Sequence, residues 1–214
     1  MRAIVWIKAL LWIACLAPAL YLVYLFRTDG LGTNPIEKIT HETGDWTLRL
    51  LLVTLSISPL RKITGWAPLI KVRRLIGLFA FFYGVLHLFT YLWLDQFFDW
   101  PEIVKDVGKR PFIFAGMAAF LMMVPLAATS TAWAIRKMGG KNWQRLHRLV
   151  YLSGVAGVVH YWWLVKSDIS EPLQYAIWLG GVLALRLILW GREQRQPARS
   201  PRAGSSTPET APLR

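Results

Sequence analysis

Cysteine occurs once in the 214 residues, at position 15, so neither a disulfide within the chain nor a thiolate metal cluster can form. Acidic residues are scarce too, twelve Asp and Glu against twenty-five Lys and Arg. Charged residues make up only 17% of the chain, below the ~25% of an ordinary soluble domain. No Gly-x-Gly-x-x-Gly turn is present to hold a dinucleotide, which argues against NADPH oxidation by this chain alone. No Gly-x-Ser-x-Gly run supports a serine hydrolase. Hydrophobic residues, in contrast, reach 55%. They gather in long blocks, several close to the ~20 residues that cross a bilayer. These shortages and this surplus exclude a soluble enzyme with one globular core and describe a polytopic membrane protein.

Six apolar segments are read, at 4–26, 46–60, 75–95, 111–132, 149–165 and 174–190. They predict an all-α membrane protein, a six-transmembrane helix bundle occupying residues 1–190. A tail at 191–214, rich in Pro, Arg, Ser and Thr, reads as disordered. Pro125 is expected to kink the fourth span, with neighbouring helices satisfying the freed backbone groups.

The net charge of +13 would suggest nucleic acid in a soluble protein, but here the cations sort by side of the membrane. Arg61, Lys62, Lys71, Arg73 and Arg74 fall in one loop. Arg136, Lys137, Lys141, Arg145 and Arg148 fall in another, and further arginines follow Trp190. The opposite loops mix fewer cations with Asp95, Asp99, Glu102 and Asp106. The positive-inside rule therefore predicts cytoplasmic termini, with no nucleic-acid partner. Trp46, Trp66, Trp100, Trp133, Trp143 and Trp190 are expected at span ends as an aromatic belt. A cleaved signal peptide is the competing reading of the N-terminus, since Arg2 and Lys8 flank an apolar run that leads to Ala17-Pro18-Ala19. The run continues through Leu25-Phe26, which favours an uncleaved first helix.

Four histidines are present, at positions 41, 87, 147 and 160. An ionisable side chain inside a membrane points to function by default. His87 lies thirteen residues after Arg74 and His160 twelve after Arg148. At 1.5 Å per residue both sit roughly 18–20 Å from the cytoplasmic edge, on spans that run in the same direction. Two neutral imidazoles at one depth on different helices suit the two axial positions of a haem iron. Gly84, and Gly157 with Ala156, one turn before the two histidines, are expected to give a flat porphyrin clearance. The competing reading is a pair of hydrogen-bonded helix contacts in which the glycines serve close packing.

His147, at the cytoplasmic start of the fifth span, is a third candidate metal ligand. An ideal helix sets it about 140° from His160, so sharing one cofactor stack would need a bend at Gly154 and Gly157. An interfacial histidine near headgroups is the alternative. Arg73 and Arg74 are candidate contacts for propionate or phosphate oxygens. His41 is expected in a solvated surface loop, or in contact with propionates, a quinol or a periplasmic partner.

Leu86-His87-Leu88, the run Gly140-Lys-Asn-Trp-Gln-Arg-Leu-His147-Arg-Leu-Val-Tyr151 and His160-Tyr161 resemble the ferric-reductase-like transmembrane superfamily. Within it, His41-Glu-Thr-Gly44, Arg73-Arg-Leu-Ile-Gly77 and Thr129-Ser-Thr131 resemble a branch of haem-binding subunits that serve methionine-sulfoxide reductases. The resemblance covers about residues 5–190. It implies a haem b protein of the bacterial inner membrane, with one haem or two, that passes electrons from quinol to a periplasmic molybdopterin-containing reductase subunit. FMN is also associated with this branch, although no glycine loop here cradles a phosphate. Relatives with two haems carry a histidine pair on each of the third and fifth helices. This chain keeps both on the fifth and one on the third, where Arg73 and Arg74 stand in the place of the other.

Two other readings stay open at this stage. One is a ferric or cupric reductase using the same haem. The other is a transporter or assembly protein whose histidines only pack, which predicts a colourless protein.

Overall fold

The computed structural model describes residues 2–195, and among them the chain is helical, with no strand. The helices are α1 (Arg2–Arg27), α2 (Pro35–Thr64), α3 (Leu69–Phe89, continued by a π-helical turn over Thr90–Asp95), α4 (Trp100–Lys109), α5 (Pro111–Ala128), α6 (Ala132–Met138), α7 (Gly140–Leu146), α8 (Leu149–Leu164) and α9 (Ser170–Arg195).

Their ends follow local chemistry. The Asn34 side chain accepts the Glu37 N–H at the start of α2, with Pro35 in the first turn. Gly65, at φ 68°, closes the same helix and gives its N–H to the Arg61 carbonyl at 2.9 Å, the left-handed exit that glycine adopts without strain. Asp99 and Thr131 cap α4 and α6 in the same manner as Asn34. Pro125 lies in the last turn of α5, which ends at Ala128, earlier than the expected 132.

Four helical stretches are long and apolar enough to cross a membrane: Ile4–Arg27, Leu69–Asp95, Pro111–Ala128 and Ser170–Gln194. The other two expected spans belong to α2 and α8. At 16 residues α8 is short. The helix α2 is 30 residues long, but Asp45, Arg49, Arg61 and Lys62 dilute its apolar stretch.

Despite that dilution, α2 is the centre of the bundle, and Leu52 and Leu55 on it are almost wholly buried. Its one side packs with α1 and α3 through Leu51, Ile57, Cys15, Phe79 and Tyr83. Its other side packs with α8 and α9 through Leu48, Leu52, Leu55, Val158, Leu179 and Val182. A helix buried by its neighbours does not need an all-round apolar surface, which explains why its sequence is the least apolar of the long ones.

The first helix docks by a specific device. The Tyr83 hydroxyl accepts the Ala19 N–H at 3.1 Å and donates to the Cys15 carbonyl at 2.7 Å. It thereby enters the helical ladder next to Pro18, where the backbone lacks a donor. Ser153, fully buried, likewise ties α8 to α5 by donating to the Ala119 carbonyl at 2.9 Å.

Several expectations are corrected here. His41 lies on α2, which extends well before the expected start at 46, and not in a loop. The cationic loop 133–148 contains two short helices, α6 and α7. Residues 191–195 continue α9, and the remainder of the expected tail, from 196, lies outside the described residues. Of the six expected belt tryptophans, Trp66, Trp100, Trp133 and Trp190 are exposed. Trp46 and Trp143 turn inward, onto Tyr83 and His147.

Candidate functional site

His87 and His160 meet between the helices, with ring centres 6.0 Å apart and ring planes at 78°. The His87 Nδ1 lies 2.9 Å from the Thr40 carbonyl oxygen on α2, and the His160 Nδ1 lies 2.6 Å from the Phe112 carbonyl oxygen on α5. A carbonyl can only accept, so both Nδ1 atoms carry the proton and both Nε2 atoms keep a lone pair. That hydrogen bond is the usual way a protein fixes a metal-binding histidine in one tautomer.

The two halves of the site are built alike. A Cβ added to Gly44 would stand 3.1 Å from the His87 ring, and one added to Gly116 would stand 2.7 Å from the His160 Nδ1. Each accepting carbonyl belongs to the residue four before the glycine, Thr40 before Gly44 and Phe112 before Gly116. Each imidazole thus lies over a bare patch of a neighbouring helix and bonds to a carbonyl one turn back. A side chain at Gly116 would force the His160 ring to shift, and one at Gly44 would press the His87 ring by a few tenths of an ångström.

The glycines expected to give clearance have another task. Gly84 faces Phe120 and Thr47, and Gly157 faces Leu48, so both let helices approach one another. Gly44 and Gly116 were not assigned this role from sequence. The four-residue spacing from each glycine to its carbonyl acquires meaning only once the partner helix is known.

The donor set suits a haem iron. With metal–nitrogen bonds of roughly 2 Å, two imidazoles sharing one metal hold their ring centres about 6 Å apart. Among the described residues no group of three or more His, Cys, Asp or Glu could hold a metal ion. Two imidazoles alone would leave most of an iron's coordination positions open, and a porphyrin would supply four further nitrogens.

His147 is placed differently. It caps the end of α7, and α8 begins two residues later, so the chain breaks its helix there and not at Gly154 or Gly157, which face Leu55, Leu179 and Leu48. Its Nε2 lies 3.1 Å from the Thr129 hydroxyl, and its ring stacks on Trp143 at 3.8 Å. Thr129 spends its hydroxyl proton on the Pro125 carbonyl at 2.6 Å, which leaves it to accept from Nε2. Trp143 in turn donates to the Thr129 carbonyl at 2.9 Å.

The same residues border a cavity of about 480 Å³ lined also by Arg73, Arg74, Arg148, Tyr151 and Arg186. Arg73 donates to the Ser58 hydroxyl at 2.9 Å. Arg186, inside the apolar run of α9, donates to the Leu55 carbonyl at 2.6 Å and to the Tyr151 hydroxyl. It was missed from sequence, although a lone cation within a span carries its own signal: it costs roughly 2.5–3.5 kcal/mol to insert.

A third polar group lies on α2, α8 and α9 beyond His160. Arg49 donates to the Tyr175 hydroxyl at 2.8 Å and pairs with Asp45 at 3.1 Å. Tyr161 donates to Glu171 at 2.5 Å. His41 is exposed nearby.

The family profile described as the ferric reductase like transmembrane component matches residues 43–158, a stretch that holds Gly44, His87, Gly116 and His147 but ends before His160. Three proteins named "Protein-methionine-sulfoxide reductase heme-binding subunit MsrQ" are similar over most of their length. The protein from Herminiimonas arsenicoxydans is 49% identical across 88% of this chain and 87% of its own. That from Azospira oryzae is 52% identical across 85% of this chain and 78% of its own. That from Bordetella pertussis is 48% identical across 90% of this chain and 94% of its own.

Proposed function

The chain belongs to the ferric reductase like transmembrane family, and from that premise we propose that it is the haem-binding, electron-transferring membrane subunit of a methionine-sulfoxide reductase. In this reading all six long helices cross the bacterial inner membrane, with both termini cytoplasmic. Electrons enter from quinol and leave to a periplasmic molybdopterin-containing reductase subunit that repairs oxidised proteins. The observation that carries the reading is the pair His87 and His160, 6.0 Å apart, each with Nδ1 committed to a carbonyl.

Haem b bound there supplies a one-electron carrier. His87 and His160 hold it through Nε2, while the carbonyls of Thr40 and Phe112 fix the ring planes and raise the basicity of the ligating nitrogens. The packing of α2 against α3, and of α5 against α8, holds each imidazole to its carbonyl, and the contacts of α3 with α5 and of α2 with α8 join the two halves without help from a loop. Apolar neighbours around the pair keep water away and the local dielectric low, which tunes the potential of such a centre. His147 is the candidate ligand for a second haem, with Arg73 and Arg74 toward its propionates. An FMN phosphate would draw on the same cations.

The test is to purify the chain in detergent after expression with ample haem and to record oxidised and reduced spectra with iron per polypeptide. A low-spin b-type spectrum at one or two irons per chain, reduced by a soluble quinol analogue, is the expected result. A colourless protein would instead support the transporter or assembly reading.

A further inference from the structure

We propose that Phe97, in the loop between α3 and α4, is the aromatic anchor on which the periplasmic reductase subunit docks, and that this partner presents there an apolar pocket rimmed by basic side chains. The inference rests on the electron-transfer reading for the partner's existence and on the structure of the loop for its place. Phe97 and Phe98 both have left-handed backbones, at φ 48° and 59°. A bulky residue enters that region only under strain, whereas glycine enters it freely. The chain uses glycine for the left-handed exit of α2, at Gly65, yet sets two phenylalanines in a row beyond the π-helical turn. The backbone holds them there, with the Gln96 N–H on the Tyr91 carbonyl at 3.0 Å and the Phe98 N–H on the Leu92 carbonyl at 2.8 Å. Strain of this kind collects where a surface has a task to perform.

Only one of the two rings finds company within the fold. Phe98 lies 6.4 Å from Phe89 and 6.3 Å from Trp100, with Trp93 5.1 Å from Phe89, a string of aromatics suited to the membrane boundary. Phe97 joins no aromatic pair among the described residues and is 77% exposed, more than any other large apolar side chain described. Its backbone and its ring are thus both held unfavourably with no compensation inside this chain, and burial against another molecule would supply it. The setting selects a protein over the bilayer. Asp95 and Asp99 stand two residues to either side, both exposed, and Gln96 donates to the Asp95 carboxylate at 3.0 Å. Neither aspartate meets a cation among the described residues, whose ion pairs lie at Lys38, Arg49, Lys62, Lys105 and Arg110. Carboxylates so near the ring oppose its entry into hydrocarbon, whereas a protein surface can take the aromatic in a pocket and answer the charges at the rim. The position also serves electron transfer. Phe97 follows His87 by ten residues, roughly 15 Å along a helix axis, at the end of the bundle away from Arg73 and Arg74.

The experiment measures binding of the purified catalytic subunit of the methionine-sulfoxide reductase from the same bacterium to the full chain in nanodiscs. Haem per polypeptide and thermal unfolding are recorded on the same samples. Phe97→Ala and Phe97→Gly are expected to weaken binding at least about tenfold, the loss of one aromatic hot spot. Asp95→Lys is expected to weaken it about threefold and to flatten its dependence on salt. The exposed control Leu121→Ala, in the middle of α5, is expected to bind as the unaltered chain does, and haem content should stay constant throughout. Phe97→Gly is also expected to unfold at a higher temperature, because glycine relieves the left-handed strain, which separates lost docking from misfolding. A Phe97→Gly chain that unfolds earlier would give the ring a structural role and overturn the proposal. Phe97→Cys in a Cys15→Ser background, carrying a bimane label, is expected to escape quenching by doxyl-labelled lipid; strong quenching would place the side chain in the bilayer and overturn it too. Undiminished binding by the Phe97 variants overturns the docking site and leaves the electron-transfer reading standing. An unaltered chain that holds haem yet does not bind the subunit overturns both the docking site and the partner in that reading.

Discussion

At the His87–His160 level each imidazole gives its Nδ1 proton to a carbonyl one turn before a glycine, and each keeps Nε2 free. At the His147 level a single imidazole commits Nε2 to Thr129 and lies flat on Trp143, beside four arginines. The side chain is the same in both places. What differs is which nitrogen the surroundings claim, a backbone carbonyl taking Nδ1 at His87 and His160 and the Thr129 hydroxyl taking Nε2 at His147, and that choice decides whether Nε2 is free. The upper level is a matched pair on a rigid frame. The lower level is a lone ring in a cationic chamber, and it must give up a hydrogen bond if Nε2 is to ligate.

The contrast breaks most simply at the paired level. His87→Ala or His160→Ala removes one of the two nitrogens proposed to hold haem and is expected to abolish haem binding at this level. Iron per chain and the reduced spectrum read this out. Full haem retention in both variants would remove the pair from the ligand set.

The glycines come next in size. A methyl group at Gly116 would sit 2.7 Å from the His160 Nδ1, closer than real Cβ contacts allow, whereas at Gly44 it would sit 3.1 Å from the His87 ring and at Gly84 3.5 Å from Phe120. Gly116→Ala should therefore lose most of the haem and Gly44→Ala part of it. Gly84→Ala should lose none, because its new methyl makes only ordinary contact. Equal occupancy in all three would show that the rings are not held by these carbonyls.

Much of this site was legible before the fold was known. Matched distances from Arg74 and Arg148 placed His87 and His160 at one depth, because a helix converts residue count into height. What the count could not supply was the neighbour across the gap. Gly44 and Gly116 act on imidazoles from other helices, so nothing in their own surroundings marks them out from Gly84 and Gly157, the two that were expected and that serve packing. The central helix α2 was read too short for a related reason. Its Lys38, Glu42 and Asp45 end the apolar run before 46, yet Lys38–Glu42 and Asp45–Arg49 pair with each other one turn apart, and such pairs suit a helix end at the membrane boundary. Arg186 went unassigned because attention to the positive-inside pattern favours cations that cluster in loops, while the informative one stood alone in a span.

The smallest expected effects separate the two levels without destroying either. Thr129→Val removes the hydroxyl that accepts from His147 while keeping the side chain's shape, so it should cost about one neutral hydrogen bond, ~0.5–1.5 kcal/mol. Thermal unfolding should fall by a few degrees at most for a chain of this size, and the spectrum of the haem at His87 and His160 should not move. If His147 serves a second iron, releasing its Nε2 should alter that second signal alone. His41→Ala should do still less. His41 is exposed on α2 beside Thr40 and its ring makes no hydrogen bond among the described residues, so its loss leaves the Thr40 carbonyl and Gly44 in place to hold His87. A change in the paired haem on removing His41 would mean that the helix face, and not the glycine and its carbonyl, sets the ring.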